Sequence, residues 1–198
     1  MSSMSKRKIA LILNIIIVIL ELIGFSYTIF KEHYIAIEYY TNDSNLIALI
    51  SSILFIVLYR KKKEFVKDLR LLSTTLLSLT FLVVVFILCP MYNFNYKLLM
   101  FTNTFLILHT LCPIISLISY VFFEEGSKKK NIGVIFTMIY ATILIILNIL
   151  SIVKGPYPFL EVKNQSPIMT VIWGLVIIGG SYLIGLILYK LNKQKGAK

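Results

Sequence analysis

Six long apolar stretches, separated by short polar segments, make up most of the chain. The stretches cover residues 9–30, 37–59, 69–89, 97–123, 131–153 and 167–189. A helix needs about 20 apolar residues to cross ~30 Å of hydrocarbon, because each residue adds ~1.5 Å. The pattern therefore predicts an all-α, polytopic membrane protein with six transmembrane helices in one bundle. The connecting segments are short, so residues 1–198 are predicted to form a single domain.

Polar and small residues recur inside four of these stretches at the spacing of one helix face. The predicted faces are Asn14, Glu21, Gly24 and Thr28 in the first span, Thr41, Asn45, Ala48 and Ser52 in the second, Thr102, His109, Ser116 and Tyr120 in the fourth, and Gly133, Thr137, Ala141 and Asn148 in the fifth. Such faces draw transmembrane helices together through close approach and hydrogen bonds. We expect the four faces to line a common interior.

The charge pattern predicts the orientation of the bundle. Of the 20 Lys and Arg residues, 16 lie in segments 6–8, 60–70, 128–130 and 190–198, on one side of the predicted membrane. By the positive-inside rule both termini are predicted to be cytoplasmic. The net charge of +11 is then explained by contact with anionic inner-leaflet lipids, so nucleic acid is not a predicted partner. The abundance of Ile, Lys and Asn is typical of an AT-rich bacterium, which favours the cytoplasmic cell membrane.

Sequence motifs for cofactors are missing from the chain. No nucleotide fingerprint, glycine-rich phosphate loop or Cys/His metal spacing occurs, so neither a cofactor nor a metal is predicted. Cys89 lies near the end of the third span and Cys112 near the middle of the fourth. Because their predicted depths differ, we expect two free thiols.

His109 is the most unusual polar residue, because it lies in the middle of an apolar span. Pro113, four residues later, has no N–H for the His109 carbonyl. Ionisable residues at this depth generally face a bundle interior and serve a function. Glu21 lies twelve residues into the first span, and His109 lies twelve residues beyond Lys97. The matching depths predict a Glu21–His109 pair, either a carboxylate that orients a catalytic base or a structural ion pair.

Three segments resemble a group of bacterial six-span membrane proteins: EYYTNDSNLIALISSILF (38–55), His109 with Pro113, and KGPYPFLEV (154–162). That group is similar to the androgen-induced family of intramembrane threonine hydrolases, which cleave fatty acid esters of hydroxy fatty acids. The resemblance implies that Thr41 is a nucleophile and His109 its base, with Asn45 helping to hold the oxyanion.

Depth along the helices bears on this pairing. Counted by residues, Thr41 lies ~6 Å and His109 ~18 Å inside the bundle. Their contact requires span four to project beyond the membrane core, or the chain near Thr41 to dip inward. The segment KGPYPFLEV is predicted to be a stiff turn at the membrane interface, because Pro156 and Pro158 flank Tyr157.

The leading functional hypothesis is a membrane-embedded hydrolase or acyl-processing enzyme that takes a lipid-like ester from the bilayer. One alternative is a small-solute binding or transport subunit, similar to the substrate-capture components of vitamin importers. In that alternative Glu21, His109 and Asn148 line a ligand pocket or a proton path. A non-enzymatic membrane protein is the third hypothesis.

Overall fold

A computed structural model describes residues 3–196, and the side chains of residues 4–192. The described chain is helical, without a β-strand. The helices are α1 (Ser3–Glu32), α2 (Tyr40–Val57), α3 (Glu64–Met91), the short α4 (Tyr96–Phe101), α5 (Asn103–Phe123), α6 (Ile132–Ile149) and α7 (Pro167–Gly196). Six of them, all but α4, are long and apolar enough to cross a membrane. The predicted all-α fold with six spanning helices is confirmed at this level.

Helix α3 forms the centre of the bundle. It packs against α2, α5, α6 and α7, and it is the most buried of the six long helices. Helix α1 packs against α2 and α5, whereas α7 packs against α3 and α6. Contact between α3 and α6 is close, since a Cβ added at Gly133 would lie 2.5 Å from Cγ2 of Thr75. Most residues of the four predicted polar faces are buried, as expected.

The segments rich in Lys and Arg meet at one end of the bundle, here called the basic end. Met4, Lys62, Glu125 and Asn192 line a single cavity there, although they come from four separate segments. Residues 33–39, 92–102 and 150–166 lie at the other end, here called the opposite end, where residues of all three segments line another cavity. The alternation of charge along the sequence therefore corresponds to two distinct ends.

A buried ion pair connects the helices near the basic end. Arg70 belongs to the cation-rich segment 60–70, but α3 begins at Glu64, so Arg70 is the seventh residue of the helix, and it is fully buried. Its Nη2 lies 3.0 Å from Oε1 of Glu124. Both partners also bond to neutral groups, namely Ser51, Ser52, Ser73 and Ser116 around Arg70 and Asn14 and Ser119 around Glu124. The network joins α1, α2, α3 and α5.

The fourth predicted span is not continuous. Residues 96–101 form α4, and the chain turns at Thr102 before α5 begins. Asn103 adopts a left-handed conformation with φ 48°, which Asn tolerates better than most residues. Thr102 donates a 2.6 Å hydrogen bond to the Leu98 carbonyl at this break, so it does not lie on the predicted inward face.

Candidate functional site

The break before α5 brings Thr41 and His109 to the same depth. His109 is only six residues from Asn103, about 9 Å along the helix, whereas the predicted span counted its depth from Lys97. Thr41 is the second residue of α2. The earlier conflict in depth arose because residues 97–101 belong to a separate short helix. The contact between Thr41 and His109 therefore forms without the fourth span projecting beyond the membrane core and without the chain near Thr41 dipping inward.

The two side chains face each other in the bundle interior. Oγ1 of Thr41 lies 3.4 Å from Nε2 of His109, and both residues are less than 10% exposed. His109 lies on a π-helical turn, Leu106–Leu111, which ends two residues before Pro113. A missing proline N–H is a common cause of such local widening, which re-aims side chains on the turn. The contact joins the start of α2 to the start of α5.

The other ring nitrogen fixes the tautomer of His109. Nδ1 lies 2.7 Å from the carbonyl oxygen of Leu99, which can only accept a hydrogen bond. In the neutral imidazole, Nδ1 therefore carries the hydrogen, and the lone pair of Nε2 points toward Thr41. The ring of Phe105 stacks on the imidazole, with centroids 4.8 Å apart and planes 7° apart. These two contacts hold the ring in one orientation.

Helix α4 supplies this orienting carbonyl because it folds back on α5. Thr110, next to His109, donates a 2.8 Å hydrogen bond to the carbonyl of Met100. The last carbonyls of a helix have no partner within the helix, so they are free to accept such bonds. His109 and Thr110 thus cap α4, and the same contacts position the imidazole.

Tyr157 is a third member of the site, although its sequence context predicted only a structural role for it. Its hydroxyl oxygen lies 3.4 Å from Oγ1 of Thr41 and 3.4 Å from the Thr41 backbone nitrogen. Withdrawal from water raises the pKa of Tyr157 to about 12, so the phenol is neutral near pH 7. The signal in the sequence was the rigid Pro-Tyr-Pro segment, but only the fold brings this segment to α2.

The loop that carries Tyr157 is fastened by nearby backbone contacts. Gly155 lies so close to the returning chain that an added Cβ would be 2.4 Å from the Leu160 carbonyl oxygen. Asn148 donates to the Val153 carbonyl and accepts from the Val162 N–H. Asn148 therefore secures the loop, and neither Asn148 nor Glu21 is among the described residues that line the cavity at His109.

Asn45 has a different role from the one implied by the resemblance. Its Nδ2 donates to the carbonyl of Thr41 at 2.7 Å and to the carbonyl of Leu108 at 3.2 Å. Both amide hydrogens are committed to these bonds, so none is left for an oxyanion. Asn45 instead ties α2 to α5 next to the Thr41–His109 contact, which makes it a positioning residue.

Glu21 is buried in α1 but does not pair with His109. Its carboxyl group lies beside the thiol of Cys112, and no nitrogen or hydroxyl donor bonds to either carboxyl oxygen among the described residues. The ring nitrogens of His109 contact Leu99 and Thr41 instead. The pairing predicted from matching depths is wrong, because the count for His109 started in α4, outside the helix that carries it.

Two cavities meet at Thr41 and Tyr157. A cavity of about 380 Å³ opens at the opposite end, and both residues line it together with His109. A narrow apolar cavity of about 40 Å³ begins at the same two residues and continues to Trp173, between α3, α6 and α7. The Thr41 hydroxyl thus lies where a roomy space of mixed polar and apolar lining borders a narrow apolar one.

Metal ligands do not cluster here or elsewhere in the described residues, where no group of three His, Cys, Asp or Glu side chains comes together. Cys89 and Cys112 are buried free thiols, as the sequence predicted. No protein-family model, curated protein or solved structure matches the chain.

Proposed function

We propose that the protein is a membrane-embedded ester hydrolase or acyl-transfer enzyme in which Thr41 is the nucleophile and His109 the general base. The observation that carries this proposal is the orientation of His109: the Leu99 carbonyl holds hydrogen on Nδ1, which leaves the Nε2 lone pair facing the Thr41 hydroxyl. A base fixed by a third group beside a hydroxyl nucleophile is the arrangement that activates Ser and Thr in other hydrolases.

The reaction divides into two steps. Oγ1 of Thr41 attacks the acyl carbonyl carbon as its proton passes to Nε2 of His109; the ester C–O bond then breaks, and the alcohol leaves with that proton. A water molecule, deprotonated by the same nitrogen, cleaves the Thr41 ester and releases the acid. The 3.4 Å separation must shorten by only a few tenths of an ångström to reach the usual 2.6–3.2 Å of an engaged pair.

Tyr157 is the group best placed to stabilise negative charge on the substrate oxygen. Its hydroxyl lies beside Thr41 Oγ1, so it is near any carbonyl that Thr41 attacks. Its raised pKa keeps the phenol in the donating form. Asn45 and Phe105 hold the backbone of Thr41 and the ring of His109, respectively.

The substrate in this proposal is a lipid-like ester with both polar and apolar parts. The cavity of about 380 Å³, which has both polar and apolar residues in its lining, accommodates the ester group and the parts next to it, whereas the apolar cavity of about 40 Å³ behind Thr41 has room only for a small apolar group. By the positive-inside rule, the basic end and both termini lie on the cytoplasmic side of the cell membrane. The Thr41 site then opens on the outer side.

The test is turnover of branched fatty acid esters by the purified protein. Thr41→Ala and His109→Ala are each expected to reduce turnover by at least ~100-fold, because each removes a group needed for nucleophilic attack. Thr41→Ser keeps the hydroxyl and is expected to retain measurable turnover. Thr142→Ala is the matched control, since Thr142 is exposed on α6 and lies outside the site.

Two results would contradict the assignment. The first is turnover that Thr41→Ala and His109→Ala leave at the level of Thr142→Ala. The second is an equal loss in all three variants with unchanged folding, because this would show that threonine or histidine loss acts through general effects. Circular dichroism and gel-filtration profiles establish the folding of each variant.

A further inference from the structure

The basic end contains a further cavity, larger than either of the two at Thr41, with a volume of about 730 Å³. Cationic side chains dominate its polar lining: Lys6, Arg7, Lys62, Lys63, Lys67 and Arg70. Only two acidic side chains, Glu124 and Glu125, are among the described residues that line it. The described lining of the cavity therefore carries more positive than negative charge.

Both carboxylates of the lining form ion pairs, whereas several of its cations have no carboxylate partner among the described residues. Glu124 is bound by Arg70, and Glu125 lies 2.8 Å from Lys62 and 3.0 Å from Lys67. The hydrogen bond from Lys62 holds the pKa of Glu125 below its usual range, so this carboxylate is ionised at pH 7. No carboxylate among the described residues pairs with the remaining cations of the lining, Lys6, Arg7 and Lys63.

One of these cations is already held in place. The guanidinium of Arg7 lies 4.5 Å from the centroid of the Tyr59 ring. A cation–π contact of this kind restricts the Arg7 side chain to the cavity wall. Its fixed, planar set of donors suits the oxygens of a phosphate group.

The lining also contains aromatic side chains at the ends of membrane spans. Phe55 belongs to the last turn of α2, and Phe122 and Phe123 end α5. Phe122 is 58% exposed. Residues at span ends lie where hydrocarbon gives way to headgroups, so the cavity offers cations at headgroup depth and aromatic surface on the hydrocarbon side.

We propose that this cavity binds an anionic phospholipid of the surrounding bilayer. Its phosphate lies among Lys6, Arg7 and Lys63, and an acyl chain packs against Phe55 and Phe122. Phosphate balances the cations that no carboxylate pairs, and basic pockets between helices at a membrane surface suit such headgroups. The site is at the other end of the bundle from Thr41, so it is independent of the proposed catalysis.

Native mass spectrometry of the purified protein tests this proposal, with phosphatidylglycerol and phosphatidylcholine of identical acyl chains as probes. The protein is expected to retain one phosphatidylglycerol in preference to phosphatidylcholine. The double variant R7Q/K63Q is expected to weaken phosphatidylglycerol binding by about 30-fold, the effect of two basic groups near a lipid headgroup. Lys63→Glu, a single change at an exposed position, is the second variant in case the double variant does not fold.

The matched control is K128Q/K130Q, which removes two exposed lysines at the same end but outside the cavity. It is expected to bind phosphatidylglycerol like the unaltered protein, as is Thr41→Ala. An equal loss in the cavity and control variants would overturn the proposal, since binding would then follow net charge alone. Inorganic phosphate at the lipid's concentration is expected to leave the bound lipid in place. Displacement by phosphate would assign the site to a soluble anion instead.

Discussion

Replacing Glu124 with Gln removes the negative charge from the buried ion pair near the basic end. The side chains of Arg70 and Glu124 are 0% and 1% exposed, respectively, so water cannot solvate the guanidinium once its partner is neutral. Glu124 also accepts hydrogen bonds from Asn14 at 3.0 Å and Ser119 at 2.6 Å. Breaking a buried pair by removing one partner typically costs about 3–5 kcal/mol.

This cost translates into a large change in thermal stability. For a chain of this size, 1 kcal/mol changes the Tm by roughly 2–4 °C, so Glu124→Gln is expected to lower it by roughly 6–20 °C. The neighbouring residue provides the matched control. Glu125 pairs with Lys62 and Lys67 but is 49% exposed, and exposed pairs typically contribute less than about 1 kcal/mol. Glu125→Gln is therefore expected to lower the Tm by no more than about 4 °C.

Circular dichroism during heating, in one detergent for all variants, measures both changes. A double variant, R70M/E124Q, separates charge burial from loss of packing, because it removes both charges. Its Tm is expected to lie above that of Glu124→Gln alone. Similar small shifts of the Tm for Glu124→Gln and Glu125→Gln would refute the reasoning. A lower Tm for the double variant than for Glu124→Gln would refute it as well.

The loop that carries Tyr157 gives two further predictions. Gly155→Ala is expected to reduce ester turnover by at least ~10-fold, because the added Cβ would collide with the Leu160 carbonyl and displace Tyr157. Gly179→Ala is the control and is expected to have no effect, because a Cβ there meets nothing within 4 Å. Equal turnover in the two variants would contradict the prediction. Tyr157→Phe is expected to lower kcat by roughly 10–100-fold with little change in KM, because the phenol acts on developing charge. Because burial raises the pKa of Tyr157 to about 12, its hydroxyl keeps its proton and donates a hydrogen bond until the pH approaches that value. The pH–rate profile of the unaltered protein is therefore expected to show no decline from Tyr157 below about pH 10. A decline in that range in the unaltered protein but not in Tyr157→Phe would contradict this role.

The sequence was sufficient to predict the six spans and their buried faces, because hydropathy and helical spacing depend on local composition. The resemblance also paired Thr41 with His109, and the fold brings these two side chains within 3.4 Å of each other. The sequence did not reveal how the two residues meet, because the apolar residues at the end of α4 are followed closely by those of α5, so one continuous span is predicted. The separation depends on the left-handed backbone of Asn103 and on the packing of α4 against α5, neither of which hydropathy reports.

Residues near helix ends were the least predictable from sequence. Arg70 lies in a run of loop cations, and only the earlier start of α3 shows that it is buried with Glu124. Tyr157 is distant in sequence from Thr41, so its approach depends on how the fold places the 150–166 loop. The Glu21–His109 pairing failed because the depth of His109 was counted from Lys97, which belongs to α4 and not to the helix that carries His109.

The most direct test of the central claim is to locate the adduct that a fluorophosphonate probe forms with the protein. Oγ1 of Thr41 is expected to displace fluoride from phosphorus as His109 takes up the proton, so mass spectrometry of peptides should find the phosphonate on Thr41. Labelling is expected to be lost in Thr41→Ala, strongly reduced in His109→Ala and unchanged in Thr142→Ala. An adduct on another residue, or labelling of Thr41 that persists at full rate in His109→Ala, would contradict the proposed Thr41–His109 pair.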